Sequence, residues 1–286
     1  MKQEFDLHLH TSYSDGEHSL KIVLNKVKEN DLRFFSITDH DSVDSIKEIK
    51  NYDLGTTKYI KGVEISSILD GKYKLHILGY NIDETNIKVN DVILKLKEAR
   101  KKRFSELADY IEKNYSLKID KKDIEKVIEN VNIPGKPHLA ELMIKYGYVN
   151  SVEEAFKKYL ENAKTKTSNR MDAKIVIEAI KDAGGIAIWA HPKKVEKKYN
   201  IHFEELMPRL LELGLDGIEP FNSLHTYEES IKYLKYAKEH NLITSGGSDY
   251  HGENVKPDVK MGVIFNSREN IKIDNENITL ISKMEE

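Results

Sequence analysis

The sequence predicts an α/β protein built on a parallel sheet, open or closed into a barrel. Short apolar runs of strand length recur along most of the chain. Segments with apolar residues at helical spacing fill the intervals, the alternation expected of parallel β-α-β units. Histidines and carboxylates gather where those runs end, which is where parallel α/β folds assemble their sites.

The first strand is expected at Phe5–His8, inside "FDLHLHTSYSDG", and runs out into a Ser-Asp-Gly turn. Leu20, Val23, Leu24 and Val27 follow at spacings that share one helix face. Further strands are expected at Phe34–Thr38, Tyr59–Ser66 and Leu75–Tyr80. From residue 88 to about 170 the rhythm changes to helices with no strand between them. A long helix runs through Leu96 and Leu107, and a second carries Leu139, Leu142, Met143 and Tyr146. The third carries Val152, Ala155, Phe156, Tyr159 and Leu160, opened by a Ser151-x-x-Glu154 capping box. A helix from Asp172 stops at Gly184-Gly185, and strands resume at Ile186–Ala190, Gly217–Glu219 and Leu242–Ser245. Leu206, Leu210 and Leu213 mark one intervening helix, Ile231 and Leu234 the other. The expected organisation is a catalytic body of residues 1–87 and 171–286, with a helical insertion over 88–170 capping one end of the sheet.

Composition narrows the function classes. The 286 residues are 33% charged and 39% hydrophobic, with a net charge of −3. Such a chain has no global basic field, so a duplex nucleic-acid footprint is not expected. Cysteine is absent, which excludes disulfides, thiolate metal sites and cysteine nucleophiles. The chain enters its first strand without a basic-then-apolar leader, and no apolar run approaches the roughly 18 residues that span a bilayer. A cytoplasmic protein without membrane contact or an obligate protein partner is the expectation.

His8 and His10 lie two apart in a strand, so both imidazoles face one point, and neutral imidazole is the commonest nitrogen ligand of metals. His40 lies in "SITDHDS", Glu64 in "GVEISS", His76 in "KLHILGY", His191 in "IWAHPKK", and Asp249 and His251 in "GGSDYHG". Each ends or follows an expected strand, and Asp15 follows the first. Independent structural histidines would not choose strand ends so consistently. Nine nitrogen and carboxylate ligands are too many for one ion and suit two or three, with carboxylates bridging. Donors without sulfur fit Mn²⁺ first, with Fe²⁺ or Zn²⁺ as alternatives. Asp6, Thr11, Asp39 and Asp41 are expected either to fix imidazole tautomers or to serve as turn and cap residues.

"DLHLHTSYSD", "TDHD", "GVEIS", "WAHP" and "GSDYH" together resemble the successive motifs of the PHP (polymerase and histidinol phosphatase) family. The resemblance implies a distorted seven-stranded β/α barrel with a trinuclear metal centre. It places His8, His10, Glu64 and Asp249 on a first metal, and has Glu64 bridge to a second held by His76 and His191. Asp15, His40 and His251 would hold the third, and His191, Asp249 and His251 are the residues implied in catalysis. Ions roughly 3.5–4 Å apart can share a hydroxide that attacks phosphorus in line.

The insertion bears on substrate. "NIPGKPHLAEL" sets Lys136 and His138 around Pro137 at a helix start, a place suited to an anion. This segment, with "GYVNSVEEAFKKYL", is similar to the PHP branch of 3',5'-nucleoside bisphosphate phosphatases, also described as RNase AM-type 5'-to-3' exoribonucleases. Their short motif usually reads Arg-Pro-His; here Lys136 stands in place of the arginine, and Arg170 is the expected compensation. His225 and Glu219 are expected to line the pocket. The substrate implied is a small phosphorylated nucleotide, with short RNA as an extension. The competing readings are a phosphomonoesterase of another metabolite such as histidinol phosphate, an amidohydrolase, and a degenerate PHP binding module. The full ligand set opposes the last, "TDHD" the amidohydrolase.

Overall fold

A computed structural model of the chain describes residues 3–264 and 273–285. They form two compact units, one from the residues up to Ile93 and from Arg170 onward, the other from Leu94–Asn169. The first boundary falls inside a long helix, several residues beyond the expected position at 88.

The first unit begins with β1 (Phe5–Leu9), α1 (Leu20–Glu29), β2 (Phe34–Ile37), α2 (Asp44–Glu48) and β3 (Lys58–Tyr59). β1, β2 and β3 pair in parallel as a three-stranded sheet. Leu20, Val23, Leu24 and Val27 of α1 pack with Leu9, Phe35 and Ile37, so the helical spacing read from sequence is the core face. The apolar run Tyr59–Ser66 is not one strand. Tyr59 ends β3, and Gly62 starts β4 (Gly62–Leu69) in a second sheet. Gly62 lies so close to β2 that a β-carbon there would sit 2.2 Å from Ser36 Oγ.

β4 turns back through Asp70 and Gly71, both at positive φ, into β5 (Tyr73–Tyr80). This hairpin is antiparallel, and β5 pairs antiparallel with the strand Ile186–Trp189 too. The expectation of an all-parallel sheet is thereby corrected: short apolar runs carry no direction, and a three-residue link forces reversal.

α3 (Ile87–Tyr115) leads into the helical unit, followed by α4 (Lys121–Asn130), α5 (Lys136–Lys145) and α6 (Val152–Ala155). Phe104, Leu107 and Ile111 of α3 share a core with Leu139, Leu142 and Met143 of α5. Glu154 N–H donates to Ser151 Oγ at 3.1 Å, as the capping pattern requires. The helix α4, absent from the expected elements, is capped by Asp120 accepting from Lys122 N–H. It has no fully buried residue, yet Ile124, Val127 and Ile128 recur at helical spacing and pack half-buried against the core of the unit.

The first unit resumes with β6 (Met171–Asp172), α7 (Ala173–Asp182), β7 (Ile186–Trp189), α8 (Pro192–Tyr199) and α9 (Phe203–Glu212). β8 (Gly217–Asn222), α10 (Tyr227–Glu239), β9 (Ile243–Gly247) and α11 (Thr279–Glu285) complete it. The second sheet has the order β6-β4-β5-β7-β8-β9. The two sheets are linked by parallel bridges between Leu9 and Tyr250 and between His40 and Glu64. Nine strands are therefore present among the described residues where seven were expected. No described helix is long and apolar enough to cross a membrane.

β1 and β9 touch with no slack. A β-carbon on Gly247 would lie 2.4 Å from both Cβ and N of His8. Gly247→Ala is expected to cost about 1–3 kcal/mol, the usual scale of overpacking. The urea midpoint should fall at unchanged slope; a wild-type midpoint would refute the tight contact.

Candidate metal centre

The strands bring their chemistry together through cross-bonds. His8 and His10 leave one face of β1, and the backbone beyond β9 pairs with them: His10 N–H donates to Tyr250 O, and Asp249 N–H to His8 O. Asp39 ties the loop holding Asp15 to the loop holding His40, accepting from Thr11 N–H, Thr11 Oγ1 and Ser14 Oγ at 2.7–2.8 Å. His40 sits beside β4 because Asp41 N–H donates to Glu64 O and Glu64 N–H to Asp39 O. In the β4–β5 hairpin His76 lies opposite Ser66, which puts its ring diagonally across from Glu64 on one face. Ala190 N–H donates to His76 O and sets His191 alongside.

All these side chains meet at one carboxylate. Glu64 Oε1 lies 2.7 Å from His76 Nδ1 and 2.9 Å from His191 Nε2. Its Oε2 lies 3.2 Å from His8 Nε2, 3.3 Å from His10 Nε2 and 3.0 Å from His40 Nδ1. Asp249 Oδ1 is 3.2 Å from His10 Nε2, and Asp15 Oδ1 is 3.3 Å from His251 Nε2. Every one of these residues is buried except Asp15, which is partly open.

Their charge states are divided. Burial would raise Glu64, but the imidazoles of His40, His76 and His8 hold it well below the usual carboxylate range. Burial would lower His10, yet the carboxylates of Asp249 and Glu64 beside it raise it to about 9. His8 is likewise raised well above its ordinary value, its burial overcome by Glu219, Glu64 and Asp249. The opposite holds for His191, taken to about 4 by burial and by Lys194. Burial and the neighbouring His10 take His251 to about 4 as well.

The arrangement fits divalent ions. His8 Nε2, both ring nitrogens of His10, His40 Nδ1, Glu64 Oε2 and Asp15 Oδ1 are buried and make no hydrogen bond. Such atoms are costly unless something pairs with them, and together they form one nitrogen-and-oxygen donor set. Donor atoms fall within 4.8 Å of one another in three groups: His8, His10, Glu64 and Asp249; His10, Asp15, His40 and His251; and His40, Glu64 and His76.

Other residues singled out from the sequence have partners of their own. His225 is buried with Nδ1–H donating to Pro220 O at 2.7 Å and its ring against Tyr233. Arg170 donates to Leu75 O at 2.9 Å and Ser67 O at 3.4 Å. In the helical unit, Lys136 Nζ donates to Glu161 O, and His138 Nδ1 accepts from Gly135 N–H. Among the turn residues, Asp39 bonds Thr11 and Ser14, Asp6 bonds Ser248 and the Gly262 and His8 amides, and Asp41 bonds Ser66 N–H. They brace backbone, the second of the two roles left open. The imidazole brace is Glu219, in β8. Its Oε1 lies 2.8 Å from His8 Nδ1, and its Oε2 accepts from His191 N–H at 2.8 Å and Asn222 Nδ2 at 3.0 Å. Lys256, which the sequence did not flag, contacts Asp249 Oδ2 at 2.6 Å.

The PHP domain family matches residues 6–181. A 5'-3' exoribonuclease of Haemophilus influenzae is 31% identical over 88% of this chain and 91% of its own length. A 3',5'-nucleoside bisphosphate phosphatase of Chromobacterium violaceum is 25% identical over 86% of each chain. The crystal structure of a candidate metal-dependent phosphoesterase of Bifidobacterium adolescentis superposes with a TM-score of 0.79 over 98% of this chain and 95% of its own, at 23% identity.

Two outcomes are expected. His8 and His10 carry protons near neutrality, so an incoming cation must displace them. Mn²⁺ uptake at pH 7 should release protons, with affinity rising through about pH 9 as His10 gives up its proton. Titration calorimetry in buffers of different ionisation enthalpy reads this directly; proton-neutral binding would contradict it. The Glu219 carboxylate fixes His8 with Nε2 toward the cluster, so Glu219→Gln should weaken metal binding roughly ten- to a hundredfold while circular dichroism stays unchanged. Undiminished affinity would remove Glu219 from that role.

Proposed function

The chain belongs to the PHP domain family, and from that premise we propose that it removes the 3'-phosphate of nucleoside 3',5'-bisphosphates. It is a metal-dependent hydrolase of phosphate esters; the bisphosphate, and 5'-to-3' trimming of short RNA by the same centre, are the finer reading. The observation that carries it is the buried Glu64 carboxylate with five imidazole nitrogens at 2.7–3.3 Å. The similarity to a bisphosphate phosphatase and an exoribonuclease supports the nucleotide substrate.

We assign His8, His10, Glu64 and Asp249 to a first ion, Glu64, His76 and His191 to a second, and Asp15, His40 and His251 to a third, with Mn²⁺ as the preferred metal. Bound there, the ions supply Lewis acidity toward phosphoryl oxygens and water. The chain's own residues hold that charge in place. Glu64 divides its two oxygens between two groups of imidazoles, and His191 and His251 stay neutral donors near neutrality. Asp249 offers Oδ1 to the cluster while Lys256 holds Oδ2. We read the two bridged sheets as the distorted barrel of the family, which supports these ligands from several strands at once.

Mn²⁺-loaded protein is expected to release phosphate from adenosine 3',5'-bisphosphate faster than from 3'-AMP or histidinol phosphate, and to shorten 5'-phosphorylated oligoribonucleotides from the 5' end. Asp249→Asn should lose at least about ten- to a hundredfold in activity while keeping the fold. Faster turnover of histidinol phosphate would replace the nucleotide reading with the metabolite phosphatase. Wild-type turnover by Asp249→Asn would sink the metal mechanism.

A further inference from the structure

Beside the His76–His191 flank of the centre, cations gather. α8 begins at His191, and its far end rests on the start of β5, where Lys74 N–H donates to Tyr199 OH at 3.0 Å. The helix thus runs outward from the centre along the strand that carries His76. Val195 buries its inner face, and Lys194 and Lys198 are exposed. Four residues apart, they stand on one ridge with β-carbons roughly 5–6 Å from each other. The Arg170 guanidinium is fastened to the carbonyls of Ser67 and Leu75, next to His76. Burial, then Arg170, then Lys194 lower Lys198, so the three cations share one neighbourhood.

The remaining charges near this ridge are accounted for. Lys193 pairs with Glu229 at 2.6 Å and with Glu196 at 3.8 Å. Lys194 and Lys198 form no ion pair among the described residues. Two exposed lysines without an ion pair, next to a phosphate-hydrolysing centre, are stabilised by an anion brought from outside. The Lys194–Lys198 ridge suits a ligand with more than one phosphate, one at the metals and another further out.

We infer that Lys194 and Lys198, together with Arg170, form a seat for the phosphate that is not cleaved, and so select multiply phosphorylated nucleotides over monophosphates. This rests on the phosphoesterase reading above and adds to it a specificity determinant on α8. Binding energy from a remote phosphate positions the scissile one and appears in kcat as well as KM.

The test compares kcat/KM of Mn²⁺-loaded protein on adenosine 3',5'-bisphosphate and on 3'-AMP. The double variant Lys194→Gln/Lys198→Gln is expected to lose about ten- to a hundredfold on the bisphosphate, the scale of charge-assisted contacts. Its loss on 3'-AMP should stay below about threefold, and the salt dependence on the bisphosphate should flatten. Lys21→Gln/Lys235→Gln, an equal charge change on α1 and α10, should leave the preference intact. Equal losses on both substrates, or the same lost preference in the Lys21/Lys235 variant, would overturn the seat. If wild-type protein hydrolyses neither compound, the phosphoesterase assignment fails by itself. Calorimetric binding of adenosine 3',5'-bisphosphate then decides the seat: weaker binding by the Lys194/Lys198 variant keeps it, and unchanged binding removes it.

Discussion

Everything in the first unit is arranged around the burial of one carboxylate. Glu64 is fully buried, and an isolated charge there would carry a penalty of several kcal/mol even after relaxation. Five imidazoles surround it, contributed by β1 and the loop after it, the loop after β2, β5, and the turn after β7. Each of those segments must reach the same point to within hydrogen-bond distance. That requirement explains why two sheets meet here through the His40–Glu64 and Leu9–Tyr250 bridges. It also explains why polar residues are so frequent in the interior: Asp6, Asp39 and Ser248 are buried because they hold the backbone on which the imidazoles stand.

Protons and metals compete for the same atoms. Around a negative Glu64 and Asp249, the cheapest compensation without metal is to protonate the two histidines closest to both, His8 and His10. Their raised affinity for protons is a measure of how negative the pocket is. His76, His191 and His251 go the other way, because burial outweighs the carboxylates near them and cations sit on their outer sides. One half of the pocket therefore offers ready lone pairs, and the other half exchanges protons for metal. Glu219 matters for this reason: it bonds the ring of His8 and the backbone of His191, one ligand from each half.

The legible part of this design was the part with a short period. His8 and His10 share a face because strand side chains alternate, and that can be read from two letters. The position of His40, His191, Asp249 and His251 just past strand ends was equally readable, whereas His76 and Glu64, expected at strand ends too, lie inside β5 and β4. The direction of β5 was not readable, since an apolar run looks the same in both directions. The break between β3 and β4 was hidden in the same way, set by how closely Gly62 approaches Ser36 and not by any change in apolar pattern. Partner assignments failed where the partner is remote in sequence: Asp6, Asp39 and Asp41 are near the histidines along the chain but bond mainly backbone and hydroxyls. The group that bonds His8 is Glu219, more than two hundred residues away. Lys256 escaped notice because a lysine in a loop carries no pattern at all.

Backbone strain shows how the pocket keeps its shape. His191, Asp249 and Asp41 all have positive φ, at 31°, 60° and 49°, a region that costs a residue with a side chain about 1–3 kcal/mol. Each of the three donates its N–H into the cluster's own scaffold: His191 to the Glu219 carboxylate, Asp249 to His8 O, and Asp41 to Glu64 O. The strained residues thus sit where one strand hands its chain to the next element, and the acceptor is supplied by a different strand. If any strand shifted, an unfavourable φ would lose the bond that maintains it, so the geometry is held cooperatively. For hydrolysis this is the useful arrangement, because electrostatic stabilisation is effective when charges and dipoles are in place before the reaction begins.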